Sequence, residues 1–263
     1  MLAISLSLIS APSLFDRMTI FLNPSLFLFA KSSQRSPVHR PAHADYVVVK
    51  RFDENGKVVG ERRFLGLYTA RVFNESPINI PFIRKKVEAA RSLSGFDPRD
   101  HSGKEYDQIL AVFPRDELFQ LTAEQLHDSI MPTLYAQERR QVSLFVRQDA
   151  FGRFVTALVH VPRELYNTDV RQKIGRLLMQ EIPGVDIEFS TYLSESALAR
   201  TKFSIKVEDN VGLSIDAQRL EAQISELIQS WQENLEKALT ARHAPKKAVD
   251  FVHRFRNAFN ASY

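Results

Sequence analysis

Cysteine is absent from all 263 residues. That excludes disulfides, thiolate catalysis and Cys-ligated zinc or iron–sulfur centres, and it suits a reducing, cytoplasmic setting. Glycine is scarce and spread out. The nine glycines are Gly56, Gly60, Gly66, Gly95, Gly103, Gly152, Gly175, Gly184 and Gly212, and no two are separated by a single residue. A dinucleotide fold needs a G-x-G-x-x-G turn so that backbone can approach the pyrophosphate at a helix N-terminus. Neither that fingerprint nor a Walker A loop can be written onto this chain. The G-x-S-x-G nucleophile elbow and the H-E-x-x-H zinc helix are missing as well. Charge of one sign does not dominate: the formal net charge is +4, with Lys and Arg scattered among 31 acidic residues. This is a weak case for a polyanion partner.

Long hydrophobic runs are also lacking. Leu2 to Leu14 is apolar but broken by Pro12 and followed by Asp16 and Arg17, and a membrane span needs about 20 apolar residues. The run has the size of a signal-peptide core, yet no Lys or Arg precedes it. A second apolar stretch, Thr19 to Ala30, is interrupted by Asn23 and Pro24. The expectation is a displaced start site or a strand separated from its upstream partners, with no membrane partner.

What is present is ordinary folded protein. Hydrophobic residues make up 44% and charged residues 25%, and the length suits one large or two modest domains. Asp45 to Phe52 and an extended run after Lys57 flank Asn55-Gly56, which predicts a hairpin. Ile83, Val87 and Ala90 then share a helix face, with Pro81 in its first turn and Ser94-Gly95 ending it. Short helices are expected over Lys104 to Val112 and from Pro114. A longer one opens at Thr122, whose spacing to Gln125 is that of a capping box, with Pro132 as a kink. From Gln141 the period changes to two. Val142 to Val146 and Phe154 to Val161 read as strands joined by the Asp149 to Arg153 loop. Thr168 should cap a helix carrying Val170, Ile174, Leu177 and Leu178. Val185, Ile187, Phe189, Thr191 and Leu193 alternate cleanly and should face a core. Phe203, Ile205 and Val207 make a fourth strand. A final long helix carries Leu220, Ile224, Leu227, Ile228, Trp231 and Leu235. The order β-β-α-β-β-α over about 141–240 implies an α+β fold, a ferredoxin-like sandwich or a rearrangement of one.

Candidate chemistry is thin. His39 and His43 have i,i+4 spacing, but Pro41 between them disfavours the helix a metal pair would need. His101 and His127 lie in polar helical segments and read as surface residues, while His160 reads as a packed strand histidine. Arg115, Asp116 and Glu117 could clamp an anionic ligand or a partner domain. The simpler expectation is Pro114 at N1 with acidic residues complementing the helix dipole. Arg84, Lys85 and Lys86 read as a solvated face. Phe145, Phe151 and Phe154 beside Arg147 and Arg153 faintly suggest a nucleic-acid-binding sandwich, the alternative function, although ribonucleoprotein motifs are absent. No catalytic, cofactor-binding or metal-binding residue is expected.

Eight segments, in order, resemble the large bacterial NAD-specific glutamate dehydrogenases. They are Ser36-Pro-Val-His-Arg-Pro-Ala42, Asp45-Tyr to Lys50-Arg-Phe52, Gly60-Glu-Arg-Arg-Phe-Leu-Gly-Leu-Tyr-Thr69 and Ile80-Pro-Phe-Ile-Arg-Lys-Lys-Val87. Phe113-Pro-Arg-Asp-Glu-Leu-Phe-Gln120, Leu144-Phe-Val-Arg147, Phe151-Gly-Arg-Phe154 and Val161-Pro-Arg-Glu-Leu-Tyr-Asn-Thr168 complete the set. The resemblance implies the N-terminal regulatory region of such an enzyme, which oxidises glutamate to 2-oxoglutarate with NAD. The 141–240 sandwich would be its ACT-like part, preceded by a hairpin and helical region over 26–140. Residues 1–25 are an unrecognised apolar leader, and 241–263 begin a helical segment that stops as if the chain continued. NAD would belong to a catalytic domain not present here. The implied partners are the rest of the dehydrogenase or a second copy, with an amino acid as possible small-molecule effector and no nucleic acid.

Overall fold

The computed structural model describes residues 3–4, 26–36, 41–193, 196–208, 213–229, 231–243 and 245–255. An antiparallel sheet comes first, built from β1 (Ala3–Ile4), β2 (Phe27–Arg35), β3 (His43–Phe52) and β4 (Val58–Leu67) in the order β1-β4-β3-β2. The β3–β4 hairpin closes as expected. Gly56 takes φ +77°, and the Asp53 carboxylate accepts from the backbone N–H groups of Asn55 and Lys57, an Asx-type turn.

A helical unit follows, comprising α1 (Ala70–Asn74), α2 (Pro81–Ser94), α3 (His101–Val112), α4 (Arg115–Gln120) and α5 (Ala123–Arg139). Gly95 ends α2 in the left-handed conformation at φ +67°. Both arms of the Thr122–Gln125 capping box are formed at the start of α5, which runs on through Pro132. Ile83, Val87, Leu110, Leu118, Leu126, Ile130 and Leu134 form the core of this unit. Rings weld it to the first sheet: Phe29 lies 5.0 Å from both Phe82 and Phe119, and Tyr68 stacks 5.1 Å from Phe119.

The second sheet contains β5 (Ser143–Gln148), β6 (Phe154–Pro162), β7 (Gly184–Tyr192) and β8 (Leu198–Val207), ordered β5-β6-β8-β7 and antiparallel throughout. The helices α6 (Thr168–Glu181) and α7 (Ala217–Leu227) cover one face. Moving β8 and α7 to the front would recover the ferredoxin-like order, so this α+β half is the expected sandwich, permuted. Val155, Val159, Ile174, Leu178, Phe203, Ile205, Leu220 and Ile224 fill its core. The opposite face is covered too. Leu158 of β6 packs into the helical core, and Phe151 packs on Leu28, Ala30 and Val48 of the first sheet.

Three expectations need correction. Asn167, one residue before Thr168, caps α6 by accepting from the Val170 N–H. The final long helix is two, α7 and α8 (Trp231–Arg242), followed by α9 (Pro245–Phe255). The stripe of Leu220, Ile224 and Ile228 packs on the sheet, and α7 ends at Leu227 with Ile228 as its C-cap. Finally, β7 buries its apolar side only in part, through Ile187. It is an edge strand, so Val185 and Phe189 have a neighbour on one flank only and stay 55% and 51% exposed.

Candidate functional site

The short helix α4 lies where the first sheet, the helical unit and the second sheet meet. Its first three residues, Arg115, Asp116 and Glu117, are buried. Asp116 and Glu117 lie in the first turn as expected, with Pro114 at the N-cap, one position before the expected N1, and each buried side chain reaches a different element. Asp116 is bonded to Lys202 of β8 and lies 3.7 Å from Lys31 of β2, which itself donates to Asp45 of β3 at 3.1 Å. Glu117, with no exposed surface, accepts from Arg147 of β5 at 2.7 Å and from the Thr156 hydroxyl of β6 at 3.0 Å. Arg115 caps the end of α3, donating to the carbonyls of Ala111, Phe113 and Glu75.

Electrostatics follow from this packing. Burial opposes the charged form of Lys31, yet the carboxylates of Asp45 and Asp116 outweigh it and raise its pKa. Burial likewise opposes ionised Asp116, but Lys202 and Lys31 hold its pKa well below the usual carboxylate range. Asp45 goes the other way, because burial outweighs the pull of Lys31. Among the described residues no group of three or more His, Asp or Glu side chains could hold a metal ion. The cluster ties α4 to strands of both sheets.

Two cavities flank it. One of about 400 Å³ is lined by Lys31, His43, Asp45, Glu188 and Lys202. The other, about 580 Å³, lies between α3, α5 and β8 and is lined by His160, Thr133, Gln137 and apolar residues of α3. Arg200 and Tyr192 line both, with the guanidinium 4.8 Å over the tyrosine ring. A third hollow of about 620 Å³ runs between α6 and the exposed side of β7.

Residues 80–139 match the family described as glutamate dehydrogenase, helical motif 1, and residues 143–232 match glutamate dehydrogenase, ACT2 domain. The NAD-specific glutamate dehydrogenase of Halomonas elongata is 42% identical over 91% of this chain, and that of Pseudomonas aeruginosa 40% identical over the same share. The Mycobacterium tuberculosis enzyme of the same name is 30% identical over 83% of the chain. The chain belongs to the glutamate dehydrogenase family. It spans about 15% of the length of the curated relatives it matches. In the terms of this family, helical motif 1 is α2 to α5 and the ACT2 domain begins at β5. The Phe113 to Gln120 segment lies within the helical motif and reaches β5, β6 and β8 of the ACT2 region through Asp116 and Glu117.

The other candidates resolve individually. His43 donates from Nδ1 to the Ser32 carbonyl (3.0 Å), lies 3.4 Å from Asp186 and packs edge-on to Phe154. His39 lies outside the described residues. His101 is exposed, whereas His127 is half-buried and bonded to the Tyr106 hydroxyl, because α3 packs against α5 there. His160 is buried, its Nδ1 3.5 Å from the Thr133 hydroxyl. Arg84 and Lys85 are exposed, but Lys86 turns in to the Leu118 and Phe119 carbonyls. Arg147 is engaged by Glu117, and Phe151 and Phe154 are buried, so they form no open stacking surface. Sequence reasoning missed Lys31, Asp45, Arg200 and Lys202. The signal was a β8 whose Arg200, Lys202 and Ser204 alternate with Phe203 and Ile205; that polar face looked solvated but is roofed by α4.

Proposed function

We propose that this chain is a non-catalytic regulatory and assembly segment of an NAD-dependent glutamate dehydrogenase. What carries the reading is that the matched regions are a helical motif and an ACT2 domain, while the glycine spacing leaves no cradle for a dinucleotide. Oxidation of L-glutamate to 2-oxoglutarate, with hydride passing to NAD, belongs to the remaining polypeptide. The segment acts by docking on that remainder or on a second copy, and the half-exposed apolar side of β7 supplies a contact edge. An effector, an amino acid among the candidates, would work by binding two assembly states unequally. Among the described residues no helix is long and apolar enough to cross a membrane, which is compatible with a cytoplasmic enzyme.

The purified chain should show no glutamate-dependent NADH formation and no NAD binding by calorimetry, and should sediment as a self-associated species or bind the rest of the enzyme. Turnover above a blank, or a saturable NAD isotherm, overturns the proposal.

A further inference from the structure

The cavity of about 580 Å³ beside β8 has a lining unlike that of its neighbour. Ile109, Ala111, Val112, Phe113 and Leu198 make an apolar wall. Among the described lining residues Arg200 is the one formal charge, and no carboxylate is present. The size is that of a small-molecule site, which is typically apolar with a few convergent polar groups.

Those polar groups are incompletely used. Arg200 donates to the Val112 carbonyl at 2.5 Å, and among the described residues its other N–H groups have no acceptor. Arg115, by contrast, spends its donors on three carbonyls. The side-chain amide of Gln137 makes no hydrogen bond to a described residue, although it too lines the space. His160 and Arg200 are paired directly across β6 and β8, and both face this cavity. Directly opposed residues in an antiparallel pair hold their Cβ atoms about 5 Å apart.

The tautomer of His160 follows from its neighbour. The Thr133 hydroxyl donates to the Ser129 carbonyl, so at the 3.5 Å contact it can only accept, which puts the imidazole proton on Nδ1. Nε2 is then an acceptor without a partner among the described residues. Burial, reinforced by Arg200, pushes the pKa of His160 down to about 3, so the ring is neutral at physiological pH.

We propose that this cavity binds a small 2-hydroxy monocarboxylic acid with an apolar side chain, its carboxylate on Arg200 and its hydroxyl donating to His160 Nε2. A guanidinium matches a carboxylate edge with two parallel hydrogen bonds. The adjacent hydroxyl reaches the histidine opposite, and the alkyl chain lies on the α3 wall. An α-amino acid fits less well. Its ammonium would be desolvated beside Arg200 with no carboxylate to receive it, and the nearest α3 carbonyls are already taken by Arg115 and Arg200. A second carboxylate on the ligand has no second cation. The inference does not rest on the regulatory reading, since it concerns this chain's own lining.

Calorimetry on the full chain tests it with four probes: 2-hydroxyisocaproate, isocaproate, L-leucine and 2-hydroxyglutarate. The hydroxy acid should bind in the millimolar range or tighter and isocaproate more weakly. L-Leucine and 2-hydroxyglutarate should bind weakest. Arg200→Lys keeps a donor for the Val112 carbonyl but loses the fork, and should weaken 2-hydroxyisocaproate about tenfold or more. Gln137→Ala, at a part-exposed helix position, is the second variant should the first fail to fold, and should weaken the same ligand several-fold. Absence of saturable binding by 2-hydroxyisocaproate overturns the proposal. So does L-leucine or 2-hydroxyglutarate binding as tightly, or unchanged affinity in whichever variants fold.

Discussion

His160 shows how a single residue takes its properties from its surroundings. On β6 it is enclosed by α5 on one side and faces Arg200 across the strand pair. Burial first, and then the guanidinium, disfavour its charged form and lower the pKa to about 3, against about 6.5 for an unfolded histidine. A depressed folded-state pKa means the unfolded chain takes up the proton first. The stabilisation from a neutral His160 is therefore complete above pH 6.5 and is lost as pH falls from there towards 3. The size of that loss is on the order of 5 kcal/mol. Urea unfolding followed from pH 7.5 to 4 should show the decline, and His160→Phe should flatten it. An unchanged slope in that variant would place the acid sensitivity elsewhere.

At the scale of elements, α4 is a single short helix whose consequence lies in what it joins. Its propensity is unremarkable and six residues cannot form a stable helix alone. It persists because Leu118 is buried in the helical core while Asp116 and Glu117 are tied to strands of both sheets. Buried ion pairs are costly to desolvate and gain little over apolar packing, but removing one member strands the other. Glu117→Ala should therefore destabilise the chain by about 3–5 kcal/mol, because Arg147 loses its carboxylate and keeps only the neutral Gln120 and Gln148 oxygens, and the Thr156 hydroxyl loses its acceptor. The midpoint of chemical unfolding measures it, and a loss under about 1 kcal/mol would mean that Arg147 is solvated instead. β7 is the contrary case. Its alternation is the cleanest in the chain, yet it sits at an edge, and Arg171 of α6 covers the Phe189 ring from 4.1 Å.

For the whole molecule, β6 is the shared element. All nine of its residues are buried, with Val155 and Val159 in the core of the second sheet and Leu158 in that of the helical unit. Opening either core alone leaves the strand protected by the other. Its amides should consequently exchange only through global unfolding, the slowest class in native-state hydrogen exchange. Exchange from β6 faster than from α5 would show that the helical unit and the ACT2 sandwich open independently.

Local structure was readable without coordinates wherever one short segment contains all the partners. The Asn55-Gly56 turn, the Gly95 stop and the Thr122–Gln125 box are closed by residues a few positions apart. The ββαββα order likewise follows from period and punctuation, and the family from motifs in series. Nothing local, however, distinguishes Lys202 from a solvated strand lysine, or Asp116 from an exposed helix-start aspartate. Their burial depends on β2, α4 and β8 converging from positions more than eighty residues apart. The same holds for strand order and for the Arg200–His160 pairing that opens into the cavity. Chemistry and pattern along the chain specify which elements form. Which polar faces lose their water is set only when those elements pack, because desolvation is a property of the assembled neighbourhood and not of any one segment.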